Sequence, residues 1–163
     1  MTRLDVFILR MQAQRACIDE VARLRLVVGA PVLELGLGNG RTYDHLRDRF
    51  EGHPIFVFDR EVAAHPDCIP AESNLRLGDF QQTVPAFLAA HRGEVGFIHA
   101  DIGSANKARS IALANVLAPS LSDLLVAGGY LASDQPIQLD GLVRMAIPGG
   151  DYGGCYHFYR RAS

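Results

Sequence analysis

The sequence predicts an α/β domain: a doubly wound, mostly parallel sheet with an antiparallel hairpin at its carboxyl end. Short apolar runs without polar alternation recur along the chain, as strands covered on both faces require. Helical periodicity separates these runs. Five acids, Glu34, Asp59, Asp79, Asp101 and Asp134, fall at or beside the ends of the runs. A chain of 163 residues with no repeat and no linker suits a single domain over residues 1–163.

Leu4, Phe7, Ile8, Met11, Ile18, Val21 and Ala22 recur at helical spacing and predict a helix over residues 4–27. Its arginines give it the look of a transit peptide, but Asp5, Asp19 and Glu20 break that pattern, so it reads as the first helix of the fold. Residues 1–29 are expected to pack on the domain or on a partner subunit, and Gly29-Ala30-Pro31 ends the helix. Strand 32–35 runs straight into the cluster Gly36-Leu37-Gly38-Asn39-Gly40, and a helix over 42–50 follows. Strand 55–58 ends at Asp59, and strand 75–77 closes in Gly78-Asp79. A helix over 83–91 is capped by Gly93, and strand 95–100 ends at Asp101. Residues 105–125 have a helical pattern that Pro119 is expected to break. Strand 130–132 leads to Asp134, and the runs 142–147 and 155–160 flank the turn-rich residues 148–154 as a hairpin.

Composition excludes several classes of function. Hydrophobic residues at 48% against 21% charged describe a chain that folds around a core. A net charge of −2 provides no positive field, so neither nucleic acid nor a membrane surface is an expected partner. No apolar run reaches the roughly 18–20 residues of a membrane span. Cys17, Cys68 and Cys155 are isolated and odd in number, which predicts neither disulfides nor a zinc site and makes the cytoplasm the expected location.

In open α/β sheets the ligand crevice lies at the carboxyl edge of the strands. A row of acids there suits a ligand rich in donors or positive charge, not a pyrophosphate. The glycine cluster agrees. A dinucleotide fingerprint, G-x-G-x-x-G, would place its third glycine at Arg41, whereas here it falls at Gly40. Glu34, two residues before the cluster, would repel a phosphate held at the following helix terminus.

The run Val32-Leu33-Glu34-Leu35-Gly36-Leu37-Gly38-Asn39-Gly40, then Asp59, Gly78-Asp79 and the strand ending at Asp101, resembles class I S-adenosylmethionine-dependent methyltransferases. The similarity spans roughly residues 31–134 and extends to a group of short bacterial methyltransferase-like proteins. It implies a Rossmann-like methyltransferase fold with S-adenosyl-L-methionine as cofactor. By the same resemblance Gly36, Leu37, Gly38, Asn39 and Gly40 bring backbone to the methionine portion, and Glu34 lies near its ammonium. Asp59, 23 positions after Gly36 and next to Arg60, accepts from the ribose hydroxyls. Gly78 and Asp79 meet the adenine amine, Phe80 lies beside the ring, and His99 joins the lining. Taken singly, Asp59 also suits a turn or a pair with Arg60, and Asp79 suits a helix cap.

For the chemistry, His99, Asp101 and Asp134 are candidate bases at the crevice mouth, with Tyr152, Tyr156, His157 and Tyr159 available from the hairpin. A free histidine titrates near neutrality; a strand histidine packed in the interior is the alternative for His99. The Asn/Asp-Pro-Pro-aromatic motif of amino-group methylases is absent at 99–103, and a small-molecule acceptor is expected. Metal-dependent O-methyltransferases are similar in their acids, but His99 and Gln135 depart from that pattern, and no metal ligands are assigned. Residues 135–140 are too few for a crossover helix, so no insertion covers the substrate. The first helix or a neighbouring subunit must close the site, which predicts a homo-oligomer. Two alternatives remain. An NAD(P)-binding oxidoreductase would place Asp59-Arg60 on a ribose, against the evidence of Glu34 and Gly40. A non-catalytic S-adenosylmethionine-binding protein would explain the short tail and the lack of a clear base.

Overall fold

The computed structural model describes residues 1–163. In chain order the elements are α1 (Arg3–Leu24), β1 (Val32–Leu35), α2 (Arg41–Arg49), β2 (Ile55–Asp59), β3 (Leu75–Leu77) and α3 (Phe80–His91). Then follow β4 (Val95–Ala100), α4 (Lys107–Leu124), β5 (Leu125–Ser133), β6 (Leu142–Met145) and β7 (His157–Arg161). One sheet holds all seven strands in the order β3-β2-β1-β4-β5-β7-β6. Pairing is parallel through β5, and β7 is antiparallel to both of its neighbours.

Each face of the sheet carries its own core. Leu33, Leu35, Ile98 and Ala100 meet Val84 and Phe87 of α3 and Leu117 and Leu121 of α4. Val32, Val57 and Phe97 meet Cys17, Ile18 and Val21 of α1 and Leu46 of α2. Strands β1 and β4 are buried along their whole length, which explains their unbroken apolar runs. Each large side chain fully buried there contributes about 1.5–3 kcal/mol, so the centre of the sheet is its most stable part. Thr2 and Asp5 form a reciprocal capping box at the start of α1. Asp19 fastens α1 to α2 through His45 (2.8 Å) and Arg49 (2.9 Å).

Four expectations are corrected. Helix α1 ends at Leu24, where Arg25 takes a positive φ of 62° and bonds back to Val21 and Ala22. Helix α3 begins at Phe80, directly after Asp79, so strand end and helix start share one turn. Pro119 does not break α4: the carbonyl it leaves unbonded is that of Asn115, which is exposed to water. Strand β5 begins at Leu125, because Gly128 (φ 76°) and the register shift against β4 absorb a bulge that reads as a break in sequence.

The carboxyl-terminal hairpin forms as expected, but with β7 inside the sheet and β6 at the edge. Residues 134–141 carry the chain past β7 without a helix. They suffice because β6 does not pair with β5.

The sheet order reverses between β1 and β4, and the turns leaving these two strands touch. Gly36 (φ 92°) has no room for a side chain, since a Cβ there would overlap the Asp101 carbonyl. Gly38 (φ 50°) faces open space. We therefore expect Gly36→Ala to lower unfolding free energy by at least about 2–3 kcal/mol through strain and overlap. Gly38→Ala should lose only about 1 kcal/mol, from its positive φ alone. Urea titration of the two variants side by side checks this, and equal losses would refute the close contact.

Candidate functional site

The site is assembled at the reversal point of the sheet, where open α/β folds hold their ligands. A cavity of about 330 Å³ lies against the turn after β1 and is lined by Gly36, Leu37, Gly38 and Asn39. Thr42, Asp59, Phe80, Asp101 and Gly103 extend the lining, and α1 covers it with Arg10, Met11 and Gln14. A second hollow of about 210 Å³ shares Asp59, Phe80 and Ile102 with it, so the two form halves of one groove. Such volumes are those of small-molecule sites.

Asp59 organises the glycine turn. Its Oδ2 accepts from the backbone N–H of Leu37 (2.8 Å) and Gly38 (3.2 Å), and its Oδ1 from that of Arg60 (2.6 Å). The Arg60 side chain reaches instead to Asp79, with Nη2 at 2.8 Å. Both partners of that pair are well exposed, so it adds little stability. Asp79 occupies the N-cap position of α3 without bonding a helix amide, and its carboxylate is taken by Arg60 instead. Gly40 caps α2 with φ 88° and packs against Cys68, where a Cβ would come within 2.5 Å of the cysteine Cβ. Gly78 (φ 138°) makes the bend that places Asp79.

Behind the cavity wall lies a buried polar chain. Glu34 and His99 are register partners on β1 and β4, so their side chains leave the sheet together on the α1 and α2 face. His99 Nδ1 is 2.6 Å from Glu34 Oε2, and His99 Nε2 is 2.5 Å from the Tyr156 hydroxyl. The Thr42 hydroxyl donates to the other carboxylate oxygen, Oε1. Glu34 and His99 have no exposed surface, and Tyr156 has 1%. Burial pushes the Glu34 carboxyl above its ordinary range, against the donors His99 and Thr42. Burial, then Asp101, Asp134 and Glu34, holds the Tyr156 hydroxyl well above its usual value, so it stays a protonated donor. His99 thus stands behind the cavity and not at its mouth, a correction to the sequence expectation. The cause is its place on β4, whose every residue is covered.

A second charged group faces the cavity from the ends of β4 and β5. Asp101 accepts from Arg10 Nη2 and, at 2.9 Å, from Gln14 Nε2. Asp134 is fixed by the backbone N–H of Ile102 (3.1 Å) and Gly103 (2.8 Å) and by Gln135 Nε2 (2.9 Å). Arg10 Nη2 lies 3.8 Å from Asp134, so its guanidinium stands between the two carboxylates. Burial, then the charge on Asp101, raises the Asp134 carboxyl above its ordinary value. Two buried polar atoms on α1, Arg10 Nε and Gln14 Oε1, have no partner. Of the hairpin candidates, Tyr159 accepts from the Ile137 amide and His157 lies next to Arg144, both away from the cavity.

The sequence reading missed Arg10, Gln14 and Thr42. A signal for two of them existed, since Arg10, Gln14, Cys17 and Val21 follow one another at helical steps. Polar residues on an otherwise buried line call for an explanation.

Comparison with known proteins agrees with this geometry. A family model described as S-adenosyl-L-methionine methyltransferase matches residues 1–161. Among solved structures, an S-adenosyl-L-methionine methyl transferase from Silicibacter pomeroyi DSS-3 is similar at 40% identity, with a TM-score of 0.94 over 99% of either chain. A geranyl diphosphate methyltransferase in complex with SAM shares the fold at 13% identity, with a TM-score of 0.55 over 91% of this chain and 85% of that one. DesVI of Streptomyces venezuelae does so at 15% identity, with a TM-score of 0.53 over 91% and 66%. No curated protein sequence matches the chain.

A carboxyl group raised by burial destabilises the fold as it ionises. The loss is absent below the carboxyl's ordinary value of 4.5 and grows as pH climbs from there through the raised one. Glu34→Gln removes this dependence. Urea unfolding of the ligand-free proteins across pH 4–5.5 should show wild type falling relative to the variant as pH rises, and parallel curves would contradict it.

Proposed function

Starting from the S-adenosyl-L-methionine methyltransferase family, to which this chain belongs, we propose that it methylates a small-molecule acceptor at the carboxyl edge of the sheet. The observation that carries the placement is that Asp59, Thr42, Gln14 and Asp101 bring acceptors to the cavity wall, beside Arg41 and an Arg10 that is held by Asp101. The Leu37 and Gly38 amides that would cradle a pyrophosphate are already bonded to Asp59. Thr42 Oγ1 has given its hydrogen to Glu34, and Gln14 Oε1 is an acceptor without a donor. Such a wall suits a cationic nucleoside and disfavours the NAD(P) alternative.

The residues fit the cofactor in order along the groove. Asp59 keeps lone pairs free for the ribose hydroxyls. Arg60, Phe80 and Ile102 border the half that would receive the base, and Asp79 is paired with that Arg60. Gly36, Thr42, Gln14 and Arg10 border the half that would receive the amino acid portion. When bound, S-adenosyl-L-methionine supplies an electrophilic methyl group. The protein's part is to hold both reactants in line, an effect that can be worth about 7–11 kcal/mol.

Asp101, which lines the cavity, and the nearly covered Asp134 beside it are the candidate bases, and the raised Asp134 carboxyl is suited to taking a proton. His99 acts from behind, through Glu34. Residues 1–29 belong to the single domain 1–163, with α1 as the cover of the site. Exposed Leu4, Phe7 and Ile8 on the outer face of α1 support a homo-oligomer that covers them. The three unpaired cysteines favour a cytoplasmic setting.

Calorimetric titration with S-adenosylhomocysteine should show at least about tenfold weaker binding in Asp59→Ala, from loss of charge-assisted bonds. The same product should raise the melting temperature of the wild type, whereas NAD⁺ and NADP⁺ should not. Unchanged affinity in the variant would defeat the assignment of Asp59. Sedimentation of the wild type as a monomer would defeat the oligomer.

A further inference from the structure

The hydrogens of the Glu34–His99–Tyr156 chain can be counted, and the count fixes its charge. The Tyr156 hydroxyl is enclosed, and its sole hydrogen-bond partner is His99 Nε2. Its hydrogen must therefore lie on that bond, so Nε2 accepts and carries no hydrogen of its own. The single imidazole hydrogen is then on Nδ1 and donates to Glu34. Glu34 also accepts from Thr42, so both its oxygens meet donors, the arrangement that suits the ionised form.

We propose that Tyr156 and His99 are positioning residues that keep Glu34 as an uncancelled negative charge behind the cavity wall, where it attracts the ammonium group of the cofactor. Tyr156 does this by occupying the one imidazole nitrogen at which a second proton could enter. An imidazolium would pair with Glu34 and erase the charge. This inference rests on the methyltransferase reading and extends it to two residues outside the cavity. It also ties cofactor binding to the seating of β7, since Tyr156 directly precedes that strand.

Burial resists a charge on His99, while Glu34, Asp101 and Asp134 draw a second proton to it and raise the imidazole above its ordinary value, so the Tyr156 hydroxyl hydrogen on Nε2 is what stands in that proton's place. From β1 comes Glu34 itself, and Asp101 and Asp134 approach from the ends of β4 and β5. Both are satisfied by Arg10, Gln14 and backbone amides. From α1 the chain also meets Cys17, whose thiol burial pushes up to about 12, so it stays neutral. From α2 only the Thr42 hydroxyl reaches the carboxylate. Arg10 is the cation among these groups, and it is turned toward Asp101.

The test is the pH dependence of S-adenosylhomocysteine binding, read by calorimetry between pH 5.5 and 8.5. Wild type should change by less than about threefold, because its imidazole takes no second proton. Tyr156→Phe leaves Nε2 free to be protonated, and its affinity should fall at least about tenfold from pH 8 to pH 6, the scale of one charge-assisted bond. The double variant His99→Asn/Tyr156→Phe keeps an amide donor near the Nδ1 position but nothing to titrate. Its affinity should again be flat.

A merely structural role for Tyr156 predicts weaker binding with no change in pH profile, and that result overturns the proposal. Imidazole ¹⁵N resonances of wild-type His99 give an answer that does not depend on any variant folding. A neutral Nδ1–H ring across this range supports the proposal, and an imidazolium refutes it. Failure of the wild type to bind S-adenosylhomocysteine at all would instead remove the reading on which the proposal stands.

Discussion

A carboxylate with no exposed surface, in the middle of a sheet, must be held by hydrogen bonds or by a counter-charge. Glu34 is held by hydrogen bonds: His99 Nδ1 and the Thr42 hydroxyl reach its two oxygens, and Arg10 is committed elsewhere. Removing a charge from water costs several kcal/mol, so the ligand-free fold carries an unfavourable term at this point. The arrangement needs β1 and β4 to be neighbours in this register.

The same neighbourhood explains the rest of the site. Because β1 and β4 lie on either side of the reversal in strand order, their turns diverge and leave a hollow between them. Gly36 allows the two turns to touch at the Asp101 carbonyl, and Asp59 from β2 pins the glycine turn from the other side. The two halves of the groove meet at Asp59, Phe80 and Ile102. A shift in any one of these three strands would separate groups that must act together.

Helix α1 replaces a covering insertion. Its inner line, Arg10, Gln14, Cys17 and Val21, changes from polar over the cavity to apolar over the sheet. Arg10 meets two carboxylates that would otherwise repel one another, and it is only about one-third exposed. The short tail contributes on the same face, where Tyr156 shares a core with Cys17 and Ile18 and bonds His99. A chain of this size therefore encloses its site with its first helix and last hairpin, without additional length.

Strand runs such as 55–59 and 95–100 were legible because burial on both faces forbids polar alternation. The carboxylates that close them were legible because position in sequence equals position at the sheet edge. Asp59, Asp79 and Asp101 accordingly lie beside the groove. Pro119 and the Gly128-Gly129 bulge misled for the opposite reason, since local chain preferences yield to solvent access and to strand pairing. Local composition thus determined the strands, the glycine turn and the acidic edge. Only the tertiary structure decided that Glu34 meets His99 and Tyr156, and that Arg10 lies between Asp101 and Asp134. These partners are separated by tens of residues, and their meeting depends on strand order and register, which no local pattern encodes.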